Sequence, residues 1–183
     1  KTLRELDISE NEVNLSVFKS LGLTCHYLHT LKCSACKGLD DFCLQSIGEM
    51  MKRWRVLKHL DFSRSLYFSD EGMLTFLQSA QHLIHSLTIS ECKSISTLTF
   101  SGLRQIFPEL TYLDLSRNNY GQTSFEFISE GCRMVKTLNV SQCPEFDDTG
   151  MIAIGRKMKH LTHLNMKDCS KVTDHGTVGF FQA

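Results

Sequence analysis

Leu161-Thr-His-Leu-Asn-Met-Lys-Asp-Cys169 is the stretch of sequence that decides the fold. It places apolar residues at its first, fourth and sixth positions and a cysteine at its ninth. Val135-Lys-Thr-Leu-Asn-Val-Ser-Gln-Cys143 has the same pattern. The pattern occurs seven times, and its central apolar residue is Leu6, Leu31, Leu60, Leu87, Leu113, Leu138 and Leu164. A terminating polar or sulfur residue follows five positions later, at Asn11, Cys36, Ser65, Cys92, Asn118, Cys143 and Cys169.

The spacing of the units identifies the architecture. Successive central leucines are 25 to 29 residues apart. A fixed period in this range is typical of leucine-rich repeats, where each unit is one strand plus one helix and buries its apolar face only against a neighbour. The pattern predicts an α/β leucine-rich repeat solenoid of about seven repeats. We expect a right-handed horseshoe segment with parallel strands on the concave side and helices on the convex side.

The whole chain fits this single architecture. Residues 1–183 are expected to form one solenoid segment, which opens on a repeat strand and stops inside a helix. Solenoids usually need polar capping units at their ends for solubility. Because neither end reads as a cap, we expect an excerpt of a longer chain that lacks both caps.

The sixth unit shows how one repeat is built. Val135, Leu138 and Val140 are predicted to point inward, and Thr137 and Asn139 outward onto the concave face, because strand side chains alternate between faces. One residue of a polar pair, Asp147 or Asp148 in this unit, then offers a carboxylate oxygen to the unpaired amides at the start of the unit's own helix. The same pair recurs at Asp40/Asp41, Ser69/Asp70, Ser96/Thr97 and Thr173/Asp174.

The composition limits the classes of partner. Hydrophobic residues make up 42% of the chain, and 20 acidic residues balance 20 basic ones. A chain without net charge has no global field that would attract nucleic acid or an anionic membrane surface. No apolar run approaches the roughly 18 residues that a membrane span requires. We therefore expect neither a nucleic-acid nor a membrane partner.

Eight cysteines invite a metal or redox interpretation. Cys33 and Cys36 form a Cys-x-x-Cys pair, and four further possible ligands lie close by in sequence: Cys25, His26, His29 and Cys43. A zinc site needs four ligands that converge tetrahedrally. The repeat already explains the pair, since Cys33 occupies the third apolar position and Cys36 the terminator. We expect buried structural thiols, no metal and no cofactor, and hence a reducing, intracellular compartment such as the cytoplasm.

One strand carries an apparent catalytic triad. His59, Asp61 and Ser63 share a face, but alternate strand residues lie about 6.6 Å apart. A working triad needs hydrogen-bonded neighbours at about 2.6–3.2 Å. The spacing favours a polar binding surface, and we expect no enzyme activity.

Stacking the units in register creates columns of polar side chains on the concave face. A serine column follows the strands, and we expect its hydroxyls to bond local backbone. The first column is Glu5, Thr30, His59, Ser86, Tyr112, Thr137 and His163, and the middle column, which we call the acidic column, is Asp7, Lys32, Asp61, Thr88, Asp114, Asn139 and Asn165. Both columns are short, polar and weakly acidic, so the predicted ligand is a protein or peptide with some basic character. Tyr112 is the best anchor candidate because it joins an aromatic ring to a polar tip. The candidate binding residues are Tyr112, Asp114, His59, Asp61, Thr137, Asn139, His163 and Asn165.

A second candidate surface is basic. Its residues lie at the ends of two predicted helices, where positive charge also complements the helix dipole by about 0.3–1 kcal/mol. An acidic partner surface could dock on such an edge. The basic edge consists of Lys52, Arg53, Arg55, Arg156, Lys157 and Lys159.

The repeats carry a subclass signature. Leu161–Gly176 and Val135–Gly150 each combine a cysteine terminator, a hydrophobic-Thr/Asp-Asp step and a glycine at the helix start. These units resemble the cysteine-containing leucine-rich repeats of F-box proteins. In that family a separate F-box, absent from these residues, docks the adaptor of a cullin-type ubiquitin ligase (SCF), and the repeats hold the substrate.

The resemblance leaves two functions open. The first is the substrate-binding part of an F-box/LRR receptor, with the ligase adaptor as partner through an F-box. The second follows from Cys25-His-Tyr-Leu-His-Thr-Leu31, which is similar to leucine-rich repeat subunits of the ciliary nexin-dynein regulatory complex. That resemblance implies axonemal or microtubule-associated partners and a location in the cilium or flagellum. Both make the chain a non-enzymatic protein-interaction scaffold.

Overall fold

The computed structural model describes residues 2–80, 82–101 and 107–183. Within these ranges seven three-residue strands alternate with seven helices. The strands are β1 (Glu5–Asp7), β2 (Thr30–Lys32), β3 (His59–Asp61), β4 (Ser86–Thr88), β5 (Tyr112–Asp114), β6 (Thr137–Asn139) and β7 (His163–Asn165). The helices are α1 (Leu15–Thr24), α2 (Asp41–Trp54), α3 (Asp70–Ala80), α4 (Thr97–Ser101), α5 (Ser124–Gly131), α6 (Asp148–Lys157) and α7 (Asp174–Gln182).

The strands form one parallel sheet in the order β1 to β7. The central leucines are aligned across it, so that Leu87 pairs with Leu113 and Leu113 with Leu138. Each helix packs against the next along the chain, on the other side of the leucines. The predicted leucine-rich repeat solenoid of about seven repeats is confirmed.

The core lies between the sheet and the helices. Val135, Leu138 and Val140 are completely buried, as the alternation predicts, and Phe146 joins them. The outer face of the sheet carries the side chains that alternate with the leucines, and we call it the concave face. Burying one such leucine contributes roughly 1.5–3 kcal/mol, and here it requires the neighbouring repeat.

In every unit one residue after the strand has a left-handed backbone conformation, which turns the chain away from the sheet. None of these seven residues is glycine, although a φ between 53° and 64° is a conformation that glycine adopts most easily. In the first six units their amides extend the ladder between repeats; the Arg64 amide, for example, donates to the carbonyl oxygen of Ser90 at 2.8 Å. The left-handed residues are Glu10, Ala35, Arg64, Glu91, Arg117, Gln142 and Asp168.

In five of the seven units the terminating residue bonds back to the preceding repeat. The thiols of Cys92 and Cys169 donate to the carbonyl oxygens of Phe62 and Val140 at 3.2 and 3.0 Å. The Asn118 side-chain amide does the same at 2.8 Å to the Ile89 carbonyl oxygen. The terminator therefore joins two repeats, and a donor of the right length is needed there.

Ser65 breaks this pattern and gives a prediction. Its hydroxyl is buried without a hydrogen-bond partner, since an oxygen on a shorter bond replaces the sulfur. Ser65→Cys should restore the bond to the preceding repeat and raise the free energy of unfolding by about 1 kcal/mol. Urea denaturation measures the change. The matched variant Cys143→Ser should lose a similar amount, and a destabilised Ser65→Cys protein would contradict the role assigned to the terminator.

The polar pairs at the helix starts divide their work between two repeats. Asp147 caps its own helix by accepting the Gly150 amide at 3.0 Å. Asp148 does not cap its own helix, in contrast to the alternative that the sequence left open. Its carboxylate accepts the amide and the hydroxyl of Thr173, in the next repeat, at 2.7 and 2.6 Å. These bonds, the hydroxyl first, hold the pKa of Asp148 below its usual value.

The same link occurs at two other junctions. Asp41 accepts the amide and hydroxyl of Ser69, at 2.7 Å each. Asp70 accepts the Ser96 amide at 2.7 Å and the Thr99 hydroxyl at 2.5 Å. Burial would raise the pKa of Asp70, but these hydrogen bonds outweigh burial and lower it. The first carboxylate of one helix thus organises the start of the next helix.

Candidate protein-binding face

The concave face contains a shallow depression of about 510 Å³ over the last three strands. Five of the eight predicted binding residues line it, together with Thr162 and the edges of two central leucines. The five are Tyr112, Thr137, Asn139, His163 and Asn165. The repeat register brings them together because they occupy neighbouring positions on β5, β6 and β7.

Tyr112 stands at one side of the depression with 36% of its surface exposed. Partial burial raises the pKa of its hydroxyl, and the carboxylates of Asp114 and Asp61 add to the effect. The phenol therefore stays protonated and can donate a hydrogen bond to a ligand. An aromatic side chain with a polar tip at the side of a groove has the profile of an interface anchor.

The acidic column is used internally. Asp114 accepts the amide and hydroxyl of Ser116 on one oxygen, at 2.9 and 2.7 Å, and the Asn139 side-chain amide on the other, at 2.9 Å. Asp61 accepts the same pair of bonds from Ser63. These two serine hydroxyls bond carboxylates and not local backbone, which corrects the sequence-based expectation. Much of the acceptor capacity of this column is already taken up.

The apparent triad has the wrong connections for a relay. Ser63 donates its hydroxyl proton to Asp61 at 2.6 Å. Among the described residues the His59 ring makes no hydrogen bond with either of them; its ring neighbour is His85, at a centroid distance of 6.4 Å. The arrangement does not align a serine hydroxyl with an imidazole base.

A row of basic residues precedes the strands and was missed in the sequence columns. One residue per repeat contributes, and each amide donates to the carbonyl oxygen of the residue before it in the row, at 2.7–2.9 Å. The polar columns contain strand residues only, whereas each residue of this row lies one position before the start of a strand. We call it the strand-start row: Arg4, His29, Lys58, His85, Thr111, Lys136 and Thr162.

The Cys-x-x-Cys pair lies in the core. Cys33 is fully buried, and the thiol of Cys36 donates to the Ile8 carbonyl oxygen at 3.1 Å. Cys25 and Cys43 are also buried. Within residues 2–80, 82–101 and 107–183, no group of three or more His, Cys, Asp or Glu side chains is placed to hold a metal ion.

Thiol reactivity gives a second prediction. All eight cysteines are free and buried, and burial raises the pKa of Cys92 and Cys132 to about 12 and that of Cys143 to about 11. Only the thiolate reacts. Cys36 differs, because its hydrogen bond with Cys33 lowers its pKa to about 7, but it is only 1% exposed. We expect burial to make the native protein react with Ellman's reagent at neutral pH far more slowly than a free thiol, and the unfolded protein to react at all eight thiols. Rapid labelling of the native protein would show that the core opens easily.

The predicted basic edge is divided in the structure. Lys52 and Arg53 end α2, whereas Arg156 and Lys157 end α6, and α3, α4 and α5 lie between them. The remaining members are Arg55, which follows α2 in a left-handed conformation, and Lys159, whose ammonium donates to the Gly155 carbonyl oxygen at 3.0 Å. The two clusters are separate local surfaces, and each complements a helix end.

The sheet order and the repeat contacts define the class of fold, which is a leucine-rich repeat solenoid. The model of the family described as Leucine Rich repeat matches residues 131–155 and 157–179, which are the sixth unit and most of the seventh. The five earlier units repeat the same strand, turn and helix. In the described part of the chain, no helix has the length and apolarity to cross a membrane.

Solved structures with some similarity share only a distant resemblance. One is the crystal structure of the Rad7 and Elc1 complex in yeast, with 12% identity and a TM-score of 0.40 over 98% of this chain and 67% of that chain. Another is a dipeptide epimerase from Enterococcus faecalis V583 with Mg and a dipeptide, with 12% identity and a TM-score of 0.31. The alignment covers 87% of this chain and 54% of the epimerase. Neither similarity is close enough to assign a function.

Proposed function

We propose that the protein is a non-enzymatic scaffold that holds a segment of another protein against the concave face. The observation that carries the proposal is the depression beside Tyr112, which gathers five predicted binding residues from three consecutive repeats. Polar side chains and the edges of Leu138 and Leu164 line the depression, which extends across three strands. Such a surface suits an extended protein segment better than a small molecule, because small-molecule sites are more enclosed.

The experiment tests the anchor. Full-length protein carrying Tyr112→Ala is compared with wild type by affinity purification from its native cells and quantitative mass spectrometry. Removing a central aromatic anchor typically costs 2 kcal/mol or more, so we expect bound partners to fall by about tenfold or more. Tyr67→Ala is the matched control, since Tyr67 is 53% exposed but lies outside the depression. Retention of every partner by a folded Tyr112→Ala protein would refute the proposed face.

The more specific proposal is a substrate receptor. The resemblance to F-box leucine-rich repeats supports a role as the substrate-binding part of an SCF ubiquitin ligase. In that role the concave face holds the substrate, and an F-box elsewhere in the full-length protein binds the adaptor. Co-purification of the cullin adaptor with the full-length protein is the expected result.

The alternative proposal is a structural subunit of the nexin-dynein regulatory complex. Its support is the stretch Cys25–Leu31, which leads into β2 and exposes 58% of Tyr27. The centre of the His26 ring, next to Tyr27, lies 5.2 Å from the centre of the Trp54 ring. Fluorescent tagging of the full-length protein separates the two proposals. Location confined to the axoneme, without adaptor binding, supports this one.

A further inference from the structure

We propose that the strand-start row recognises an acidic peptide segment of the protein partner, with the segment running across the strands along the row. The inference rests on the proposed scaffold function and names the chemistry of its ligand. It replaces the expectation of a basic ligand, which came from the acidic column alone.

The distribution of charge across the sheet carries the first step. Five of the seven residues in the strand-start row are Arg, Lys or His, and none is acidic. In the adjoining first column of strand residues the only carboxylate is Glu5, which is 3.0 Å from the ammonium of Lys32. The same column adds His59 and His163 to the basic side.

Contacts in the centre of the row carry the second step. The Lys58 ammonium is 3.2 Å from Nε2 of His85, and the His85 ring is 6.4 Å from that of His59. Among the described residues, one carboxylate, Glu109, lies within ion-pair distance of this group, 3.6 Å from His85. Several basic groups therefore share one acidic partner, and a ligand carboxylate would supply a missing counter-charge.

The lowered pKa of His59 agrees with this shortage of acidic partners. Burial lowers the pKa of His59, and the neighbouring His85, His29 and Lys58 lower it further. The nearest acidic side chain on its own strand, Asp61, already accepts the Ser63 hydroxyl. A bound carboxylate would favour the charged imidazole, so binding and protonation should reinforce each other.

The internal use of the acidic column carries the third step. Both oxygens of Asp114 accept hydrogen bonds from the protein, and one oxygen of Asp61 accepts two. A basic ligand would compete with these bonds. On the basic side, His29 and His85 each use one ring nitrogen on a local backbone carbonyl oxygen, at 2.6 and 3.2 Å, and the Lys58 ammonium contacts His85 while keeping further protons for a ligand carboxylate.

The spacing fixes the length of the segment. Neighbouring strands lie about 4.8 Å apart and an extended chain rises about 3.3 Å per residue. The four consecutive basic side chains, Arg4, His29, Lys58 and His85, therefore match a segment of about four to five residues.

The experiment measures binding by fluorescence polarisation. The probe is a fluorescein-labelled peptide of consecutive glutamates between two glycines, and the comparison probes are the lysine version and a single-stranded oligothymidine. We expect the glutamate peptide to bind most tightly, about fivefold more tightly near pH 6 than near pH 8. Affinity should fall as salt rises. Tighter binding of either comparison probe would overturn the inference, the oligothymidine by indicating a nucleic-acid surface.

Two double variants locate the site. Arg4→Gln with Lys58→Gln should weaken peptide binding by about tenfold. Lys19→Gln with Lys93→Gln removes the same charge from α1 and from the turn before α4, and it should leave binding unchanged. The single change His59→Gln should remove most of the pH dependence, since the pKa of His59 is the one that burial and its basic neighbours lower. Equal weakening by the two lysine-containing doubles would mean non-specific attraction and would sink the inference, whereas the Tyr112→Ala experiment tests the scaffold function separately.

Discussion

Leu113→Asp is expected to unfold the central repeats. Leu113 is 3% exposed and pairs with Leu87 on one side and Leu138 on the other. A carboxylate at this position has no partner in an apolar core, and burying an unpaired charge is among the few changes that cost more than about 4 kcal/mol. The loss should extend beyond one unit because each leucine is buried by its neighbours. Circular dichroism during heating measures it.

A control isolates the effect of burial. Tyr112→Asp introduces the same charge one residue earlier, on the exposed face of the same strand. It should lower the thermal midpoint far less than Leu113→Asp. An unchanged midpoint for Leu113→Asp would contradict the placement of the leucine spine in the core.

Gly72→Ala should be the second most damaging of these changes, although alanine normally favours a helix over glycine by about 0.5–1 kcal/mol. A Cβ at Gly72 would lie 1.9 Å from Oδ1 of Asp41 and 2.8 Å from its Cβ. The Asp41 carboxylate would have to leave its two hydrogen bonds with Ser69. We expect the free energy of unfolding to fall by about 2–4 kcal/mol, from overpacking and lost charge-assisted bonds.

A double-mutant cycle tests the cause of that loss. If the clash with the carboxylate is responsible, Asp41→Ala and Gly72→Ala together should cost clearly less than the sum of the two single changes. Gly22→Ala is the matched control, because its Cβ would meet only the flexible Met50 side chain at 3.2 Å. Urea denaturation of all four variants gives the comparison. Strict additivity would rule out the proposed contact.

The strand positions could be predicted from the sequence because every strand has the same local spacing of apolar residues. Leu6 and Leu164 lie at the centres of the first and last described strands, as the period predicts. Inward and outward positions follow from the alternation of side chains. Nothing in this step depends on distant contacts, so a pattern of leucines was sufficient.

It was harder to predict which aspartate at a helix start caps its own helix and which bonds to the next repeat. Asp147 and Asp148 are adjacent and chemically identical, yet one caps its own helix and the other reaches Thr173 in the next unit. That choice depends on how closely neighbouring repeats approach, which the pattern within one unit does not contain. For the same reason the sequence alone predicts that the carboxylates of the acidic column are available to a ligand. In the structure the Ser116 hydroxyl and the Asn139 side-chain amide already donate to the Asp114 carboxylate.

The carboxylate links give the stack a direction. Asp41, Asp70 and Asp148 each support the repeat that follows and receive no equivalent support from it. When a leading unit melts, its successor loses an anion that held its first helical turn. When a trailing unit melts, the apolar contacts and the terminator bond between the two units are lost as well, but the first helical turn of the unit ahead keeps its own carboxylate partner. Fraying should therefore travel more readily from the amino-terminal side toward the carboxyl-terminal side than in reverse, as a zipper opens from one end.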